Sequence, residues 1–251
     1  MSNIELLNKD CMEVLPYLPD NSIDMILCDL PYGTSACKWD FVLPIEELWK
    51  QYKRIIKDDG AIVLFGSEPF SSKMRVSNLQ MYKYDWKWEK PSGANFLNFK
   101  YQPAKVYEDI MVFGKSAVSF SKKGNMKYNP QMESGTPYCQ KSGKQKEDYG
   151  NSSVRTPIKQ VITENNGERY PRAIQKFSLD KSKLHPTQKP VSLLEYLIKT
   201  YTNEGDLVLD NCMGSGSTGV ACKKLNRNFL GIELNEKYFN IAKERIDEIS
   251  N

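Results

Sequence analysis

The stretch that decides the fold is Asp206-Leu207-Val208-Leu209-Asp210-Asn211-Cys212-Met213-Gly214-Ser215-Gly216-Ser217-Thr218-Gly219. Asp206–Leu209 reads as a buried strand, Gly214, Gly216 and Gly219 satisfy G-x-G-x-x-G, and a helix follows through Leu225. The next strand, Phe229–Leu234, carries Glu233, 23 residues beyond Asp210. Glycines let a backbone turn sharply and approach a ligand closely, and an acid at the end of the second strand can accept from ribose hydroxyls. The glycine pattern alone also suits a tight structural turn. With strand, helix, strand and terminal acid all in place, it predicts an adenosyl ligand.

Counting outward from this turn narrows the ligand. A dinucleotide enzyme needs several further strand–helix units, and here only Asn235–Asn251, one helix, follows. The rest of the sheet must precede the turn, so its order is circularly permuted. Asp210 and Ser215 near a helix N-terminus suit an amino acid moiety at least as well as a pyrophosphate. The arrangement fits S-adenosylmethionine. Upstream, strand signals at Asn3–Asn8, Ser22–Cys28, Ala61–Phe65, Lys87–Lys90 and Val106–Phe113 alternate with helical ones. Among the latter, Ile45, Leu48, Trp49, Tyr52, Ile55 and Ile56 recur at helical spacing until Asp58-Asp59-Gly60 breaks the pattern. Pro190 opens another helix and Gly205 closes it. Such alternation predicts an α/β protein with a mostly parallel, Rossmann-like sheet covered on both faces.

Asp29-Leu30-Pro31-Tyr32-Gly33 stands at the C-terminal end of the Ser22–Cys28 strand, the edge where open α/β sheets bind ligands. The Asp29 carboxylate and the Leu30 carbonyl can each accept from an exocyclic amine, aiming its lone pair at an incoming methyl while Tyr32 stacks on the heterocycle. A lone D-x-P-Y reads better as a proline-fixed strand exit. The distant glycine turn tips the reading toward chemistry.

With these residues in place the chain resembles the amino-group DNA methyltransferases of the β order class. In that class a D-P-P-Y motif comes first, a target-recognition region second and an F-x-G-x-G cofactor motif last. The resemblance covers nearly the whole sequence. It implies a methyltransferase fold with a basic recognition insertion, S-adenosylmethionine as cofactor, and adenine N6 of a flipped base in double-stranded DNA as acceptor. Cytosine N4 and RNA or protein-amide acceptors are the alternatives, followed by a non-catalytic DNA-binding protein. It also implies catalytic roles for Asp29, Leu30, Pro31 and Tyr32. Cofactor contacts fall to Asp10, Cys11, Asp29, Thr187, Lys189, Asp210, Met213, Gly214, Ser215, Gly216, Ser217 and Glu233. Of these, Asp10 lies in an opening segment whose acid contacts adenine, and Thr187 and Lys189 lie in His185-Pro186-Thr187-Gln188-Lys189-Pro190, near the methionine part. Phe99, Lys100 and Tyr101 resemble a segment that can flank the flipped base. The chain departs from the family pattern at Leu30, where proline is usual, and at Cys212, where an aromatic is usual. Cytosine-C5 chemistry would need a Pro-Cys nucleophile, and the sequence has no Pro-Cys.

Charge supports a polyanionic partner. Lys115–Lys189 holds fifteen Lys and Arg against six Asp and Glu, a local excess of +9 in a chain of net +4, which leaves −5 for the remainder. A solvated loop is the plainer reading of charge alone. We read residues 1–114 as the catalytic half, 115–184 as the candidate recognition region and 185–251 as the cofactor half. Six cysteines without C-x-x-C and a single His185 predict neither a zinc site nor a disulfide framework. No apolar run approaches the roughly 18 residues of a membrane span, and Met1–Asp10 lacks an apolar leader core. The expectation is a reduced, cytoplasmic enzyme of bacterial or phage origin. A second copy of the chain and a cognate restriction endonuclease are compatible partners that no residue decides.

Overall fold

Short apolar runs bounded by Asp, Asn and Gly become the strands of a central sheet. The computed structural model describes residues 2–33, 42–120, 123–141, 162–180 and 188–249. Thr187 and the His185-Pro186 pair before it lie outside the described residues. In chain order the elements begin with β1 (Ile4–Leu7), α1 (Cys11–Val14), β2 (Ile23–Cys28), α2 (Ile45–Ile55) and β3 (Ile56–Gly66). Next come α3 (Phe70–Ser77), β4 (Tyr82–Glu89) and β5 (Tyr107–Phe113). Four short strands follow: β6 (Glu133–Ser134), β7 (Tyr138–Lys141), β8 (Ile162–Asn165) and β9 (Glu168–Arg169). The chain then continues through β10 (Ile174–Lys176), α4 (Val191–Tyr201), β11 (Leu207–Asp210), α5 (Ser217–Lys224), β12 (Asn228–Ile232) and α6 (Glu236–Asp247).

Eight strands form the main sheet in the order β1-β12-β11-β2-β3-β5-β4-β10, and within it only β5 runs against the others. The middle strand β2 pairs β3 on one side and β11 on the other, with Val208 opposite Met25 and Leu209 opposite Ile26. The permuted order predicted from the count of units is therefore realised: the last strands fill the gap between β1 and β2.

Period-two alternation along the strands sorts side chains into two cores. Met25, Leu27, Ala61, Val63 and Phe65 face one side, against Leu194, Leu197 and Ile198 of α4, Val220 of α5 and Ile246 of α6. Ile26, Cys28, Ile62 and Leu64 face the other, against Leu48, Trp49, Tyr52 and Ile55 of α2 and Phe70 and Met74 of α3. Trp86 and Trp88, two apart on β4, both enter the first core. There Trp86 Nε1 donates to the Tyr201 hydroxyl at 2.6 Å and Trp88 Nε1 to the Phe177 carbonyl at 2.9 Å.

One helix boundary differs from expectation and one helix was not foreseen. The helix α2 ends at Ile55, ahead of Asp58-Asp59-Gly60, because Ile56 is fully buried opposite Ile23 and pairing draws the chain into β3 early. Helix α3 carried no clear sequence signal, since only Phe70 and Met74, one turn apart, mark its buried stripe amid Ser, Lys and Arg.

Two compact units divide the chain, Met1–Asn129 with Ala173–Asn251, and Pro130–Arg172. In the smaller unit β6 pairs β9 and β7 pairs β8, both antiparallel. Its Arg169 lies 4.8 Å from the Tyr138 ring centroid and donates to the Glu168 carbonyl. Lys115 and Lys127 pack with the larger unit and are paired there. Lys115 Nζ reaches the Ile56 carbonyl at 2.7 Å, and Lys127 Nζ reaches Asp206 at 2.5 Å and Asp24 at 3.5 Å. Among the described residues, no helix is long and apolar enough to cross a membrane.

Candidate active site

Because β1, β12, β11, β2 and β3 are parallel, the turns after them open at one edge of the sheet. The turn after β11 is held from inside. Asp210 is buried, accepting from Thr218 Oγ1 at 2.7 Å and from the Cys212 amide at 3.2 Å. Burial pushes its carboxyl up to about 6. Tyr52 donates to Asn211 Oδ1 at 2.5 Å, tying the turn to α2. Gly214 and Gly216 adopt φ of +52° and +76°, the left-handed region that glycine enters freely. A Cβ on Gly216 would meet the Ala242 Cβ at 2.7 Å, so glycine is needed there for space as well. Arg245 of α6 donates to the Ser215 carbonyl and approaches Ser215 Oγ at 3.1 Å and Ser217 Oγ at 3.2 Å. The Met213 side chain is buried in the core over Gly231 and leaves only its backbone to the turn.

Glu233, just past β12, rims this turn. Its Oε2 accepts from the Gly214 amide at 2.8 Å and its Oε1 from the Asn235 amide at 2.8 Å. Burial lifts its carboxyl above the usual range, and those amides oppose the shift. On the adjacent strand exit Asp10 caps α1, accepting from the Met12 amide at 2.8 Å, while Cys11 is buried behind it. Two carboxylates beside a glycine turn that can admit a ligand to its backbone form a donor–acceptor set fitting an adenosyl group.

The turn after β2 is organised by charge. Tyr32 donates its hydroxyl to Asp29 Oδ1 at 2.6 Å, and Lys189 Nζ donates to Asp29 Oδ2 at 2.5 Å. Lys189 is 8% exposed and also lies 3.4 Å from Glu108 Oε2. Lys90 pairs with Glu108 Oε1. Burial lifts the Asp29 carboxyl above the usual carboxylate range, Lys189 opposing and Glu108 adding to the rise. Burial also disfavours the Glu108 carboxylate, but Lys189 and Lys90 outweigh it and hold its carboxyl below the usual range. The Tyr32 ring stacks on Phe70 at 4.8 Å between centroids and 26° between planes, so Phe70 backs the proposed platform. Leu30 is buried in the second core.

The sequence motifs thus meet at neighbouring strand ends, with Lys189 described on Asp29 and Thr187 outside the described residues. Sequence reading missed Glu108, Lys90 and Phe70. Glu108 sits beside Asp109 at the start of β5, ahead of the apolar run Ile110–Phe113, and that paired acid was the available signal. Phe99 and Tyr101 are exposed on the β4–β5 connection.

A glycine turn bordered by ribose-competent acids, facing a carboxylate–tyrosine turn on the next parallel strand, defines an S-adenosylmethionine-dependent methyltransferase of Rossmann-like fold. Comparison with known proteins narrows the class. Residues 23–244 match N6_N4_Mtase, DNA methylase, and the chain belongs to that family. It is 30% identical to type II methyltransferase M.HpaI of Haemophilus parainfluenzae over 96% of this chain and 74% of that protein. It is 27% identical to DNA adenine methyltransferase YhdJ of Escherichia coli (strain K12), over 98% and 83%. Among solved structures, the M1.HpyAVI–SAM complex aligns with a TM-score of 0.62 at 25% identity, covering 96% of this chain and 99% of the other. The cytosine-N4-specific PvuII DNA methyltransferase shares the fold, with a TM-score of 0.70 at 17% identity over 100% and 89%.

Proposed function

We propose that this chain methylates the N6 amine of adenine, extruded from a specific double-stranded DNA site, with S-adenosylmethionine as donor. The observation that carries the proposal is the Asp29–Tyr32 turn one strand away from the Gly214–Glu233 turn, with both opening at the same sheet edge. Asp10 and Glu233 would hold the adenosyl part. The backbone of Met213–Ser217, with Asp210 and Thr187, would frame the methionine side, and Cys11 backs Asp10 on the adenosyl side; Lys189 is taken up by Asp29. When bound, the cofactor supplies an electrophilic sulfonium methyl.

The chain's residues do the rest by orientation and charge placement. Asp29 and the Leu30 carbonyl accept from the amine and turn its lone pair outward. Tyr32, backed by Phe70, stacks on the base and offsets part of the few kcal/mol that extrusion costs. Asp29 need not be a strong base, since the nitrogen sheds its proton after the methyl arrives. We assign target recognition to residues 115–184, whose Lys and Arg neutralise phosphates while Asn, Gln and Arg read base edges. A cytoplasmic setting, a homodimer and a partner endonuclease belong to the same reading.

Incubation with radiolabelled S-adenosylmethionine and separate DNA, RNA and protein pools tests the acceptor. Sequencing of modified bases in expressing cells then gives the atom and the site. We expect N6-methyladenine in one short motif. N4-methylcytosine, or label in RNA or protein, overturns the assignment.

A further inference from the structure

The cation on Asp29 has a second anion waiting for it. Asp29 already carries two donors, Tyr32 Oη on Oδ1 and Lys189 Nζ on Oδ2. An entering amine therefore meets an acceptor whose best sites are filled. Glu108 Oε2 lies 3.4 Å from the same Nζ and is buried with no hydrogen-bond partner, while Oε1 is satisfied by Lys90. The Phe65 ring, 5.0 Å from Nζ, walls the ammonium in. The four charged groups Asp29, Glu108, Lys90 and Lys189 sum to neutrality, so the cluster tolerates burial as a set but not with one member stranded.

We propose that Lys189 and Glu108 are positioning residues that act through Asp29: Lys189 covers the acceptor while no base is present and passes to Glu108 when an exocyclic amine takes its place. This deepens, and rests on, the methyl-transfer reading above. A displacement on the order of 0.5 Å brings Nζ into hydrogen-bonding range of Oε2. Glu108 Oε2 then closes its 3.4 Å ion pair with Nζ into a hydrogen bond, and the ammonium is never left unpaired. The bond lost at Asp29 is replaced by the amine's, so the exchange keeps the number of donors on Asp29 constant. This role differs from a contact to the methionine part, since it predicts that Lys189 governs turnover and leaves cofactor affinity alone.

The test is a double-mutant cycle on the full chain with wild type, Lys189→Met, Glu108→Gln and the double variant. It measures kcat for methyl transfer to DNA at saturating cofactor and, by calorimetry, the Kd for S-adenosylmethionine. We expect each single variant to lose at least about tenfold in kcat with the cofactor Kd within about threefold of wild type. The double variant should be no slower than Lys189→Met alone, because Glu108 acts only through the ammonium that this variant already lacks. Losses that multiply, or a Kd raised more than about tenfold by Lys189→Met, overturn the proposal. Glu108→Gln is isosteric, so an unchanged kcat in that variant overturns it whatever Lys189→Met does. Wild-type label in RNA or protein sinks the DNA reading instead, and the same cycle on that acceptor still decides the exchange.

Discussion

The turns after β11 and β2 stand on neighbouring strands and are built by opposite means. The first is braced from within: Thr218 and the Cys212 amide on Asp210, Tyr52 on Asn211, Arg245 on Ser215, and glycines where a Cβ would collide. The second is held by mobile-headed charges, with Lys189 shared between Asp29 and Glu108. A site that only has to grip a ligand is served by backbone fixed in one shape. A site that must accept a new donor at the reacting atom needs partners that can be exchanged.

The sharpest way to break this contrast is Asp29→Ala. Methyl transfer should fall at least about a thousandfold, roughly 4 kcal/mol of barrier, while cofactor binding by calorimetry stays near wild type. Lost cofactor affinity would make the two turns one functional unit.

Next comes the internal brace. With its folded pKa near 6 against about 3.9 unfolded, Asp210 holds its proton more tightly when folded. Its stabilising contribution is therefore complete below about pH 4 and is lost as pH rises through about 6. Chemical denaturation should show the stability of wild type relative to Asp210→Asn dropping by up to about 3 kcal/mol between pH 4 and 7. A flat difference would remove the burial argument.

Glu233→Ala should weaken cofactor binding by about 2 kcal/mol with kcat at saturation little changed. An unaltered Kd would take Glu233 out of the site. The smallest effect belongs to Lys141→Ala on exposed β7, which should reduce the log–log salt slope of DNA binding by about one without changing kcat.

How much of this was legible follows from what each feature depends on. The parallel sheet and its permuted order could be read because Met25–Cys28, Ala61–Phe65 and Leu207–Leu209 are continuous apolar runs closed by Asp29, Gly66 and Asp210, and because the glycine turn comes after the Asp29 turn in the chain. The glycine turn and Asp29-Leu30-Pro31-Tyr32 were legible as local chemistry. The roles of Glu108, Lys90 and Phe70 were not, because they arise from pairing of β4 with β5 and from a stack between the β2 turn and α3, neither of which leaves a spacing signature. The end of α2 moved for the same reason, a tertiary partner for Ile56 outweighing the local breaker.

Pairing of β1 with β12 and of β2 with β11 joins residues near the two ends of the chain. A polypeptide severed anywhere within Pro130–Arg172 would yield one fragment owning Asp29 and another owning Gly214. Neither could turn over alone, and mixing them would restore activity only by interleaving strands. The enzyme is thereby a natural candidate for conditional reconstitution, its catalysis switched on by whatever brings the two pieces together.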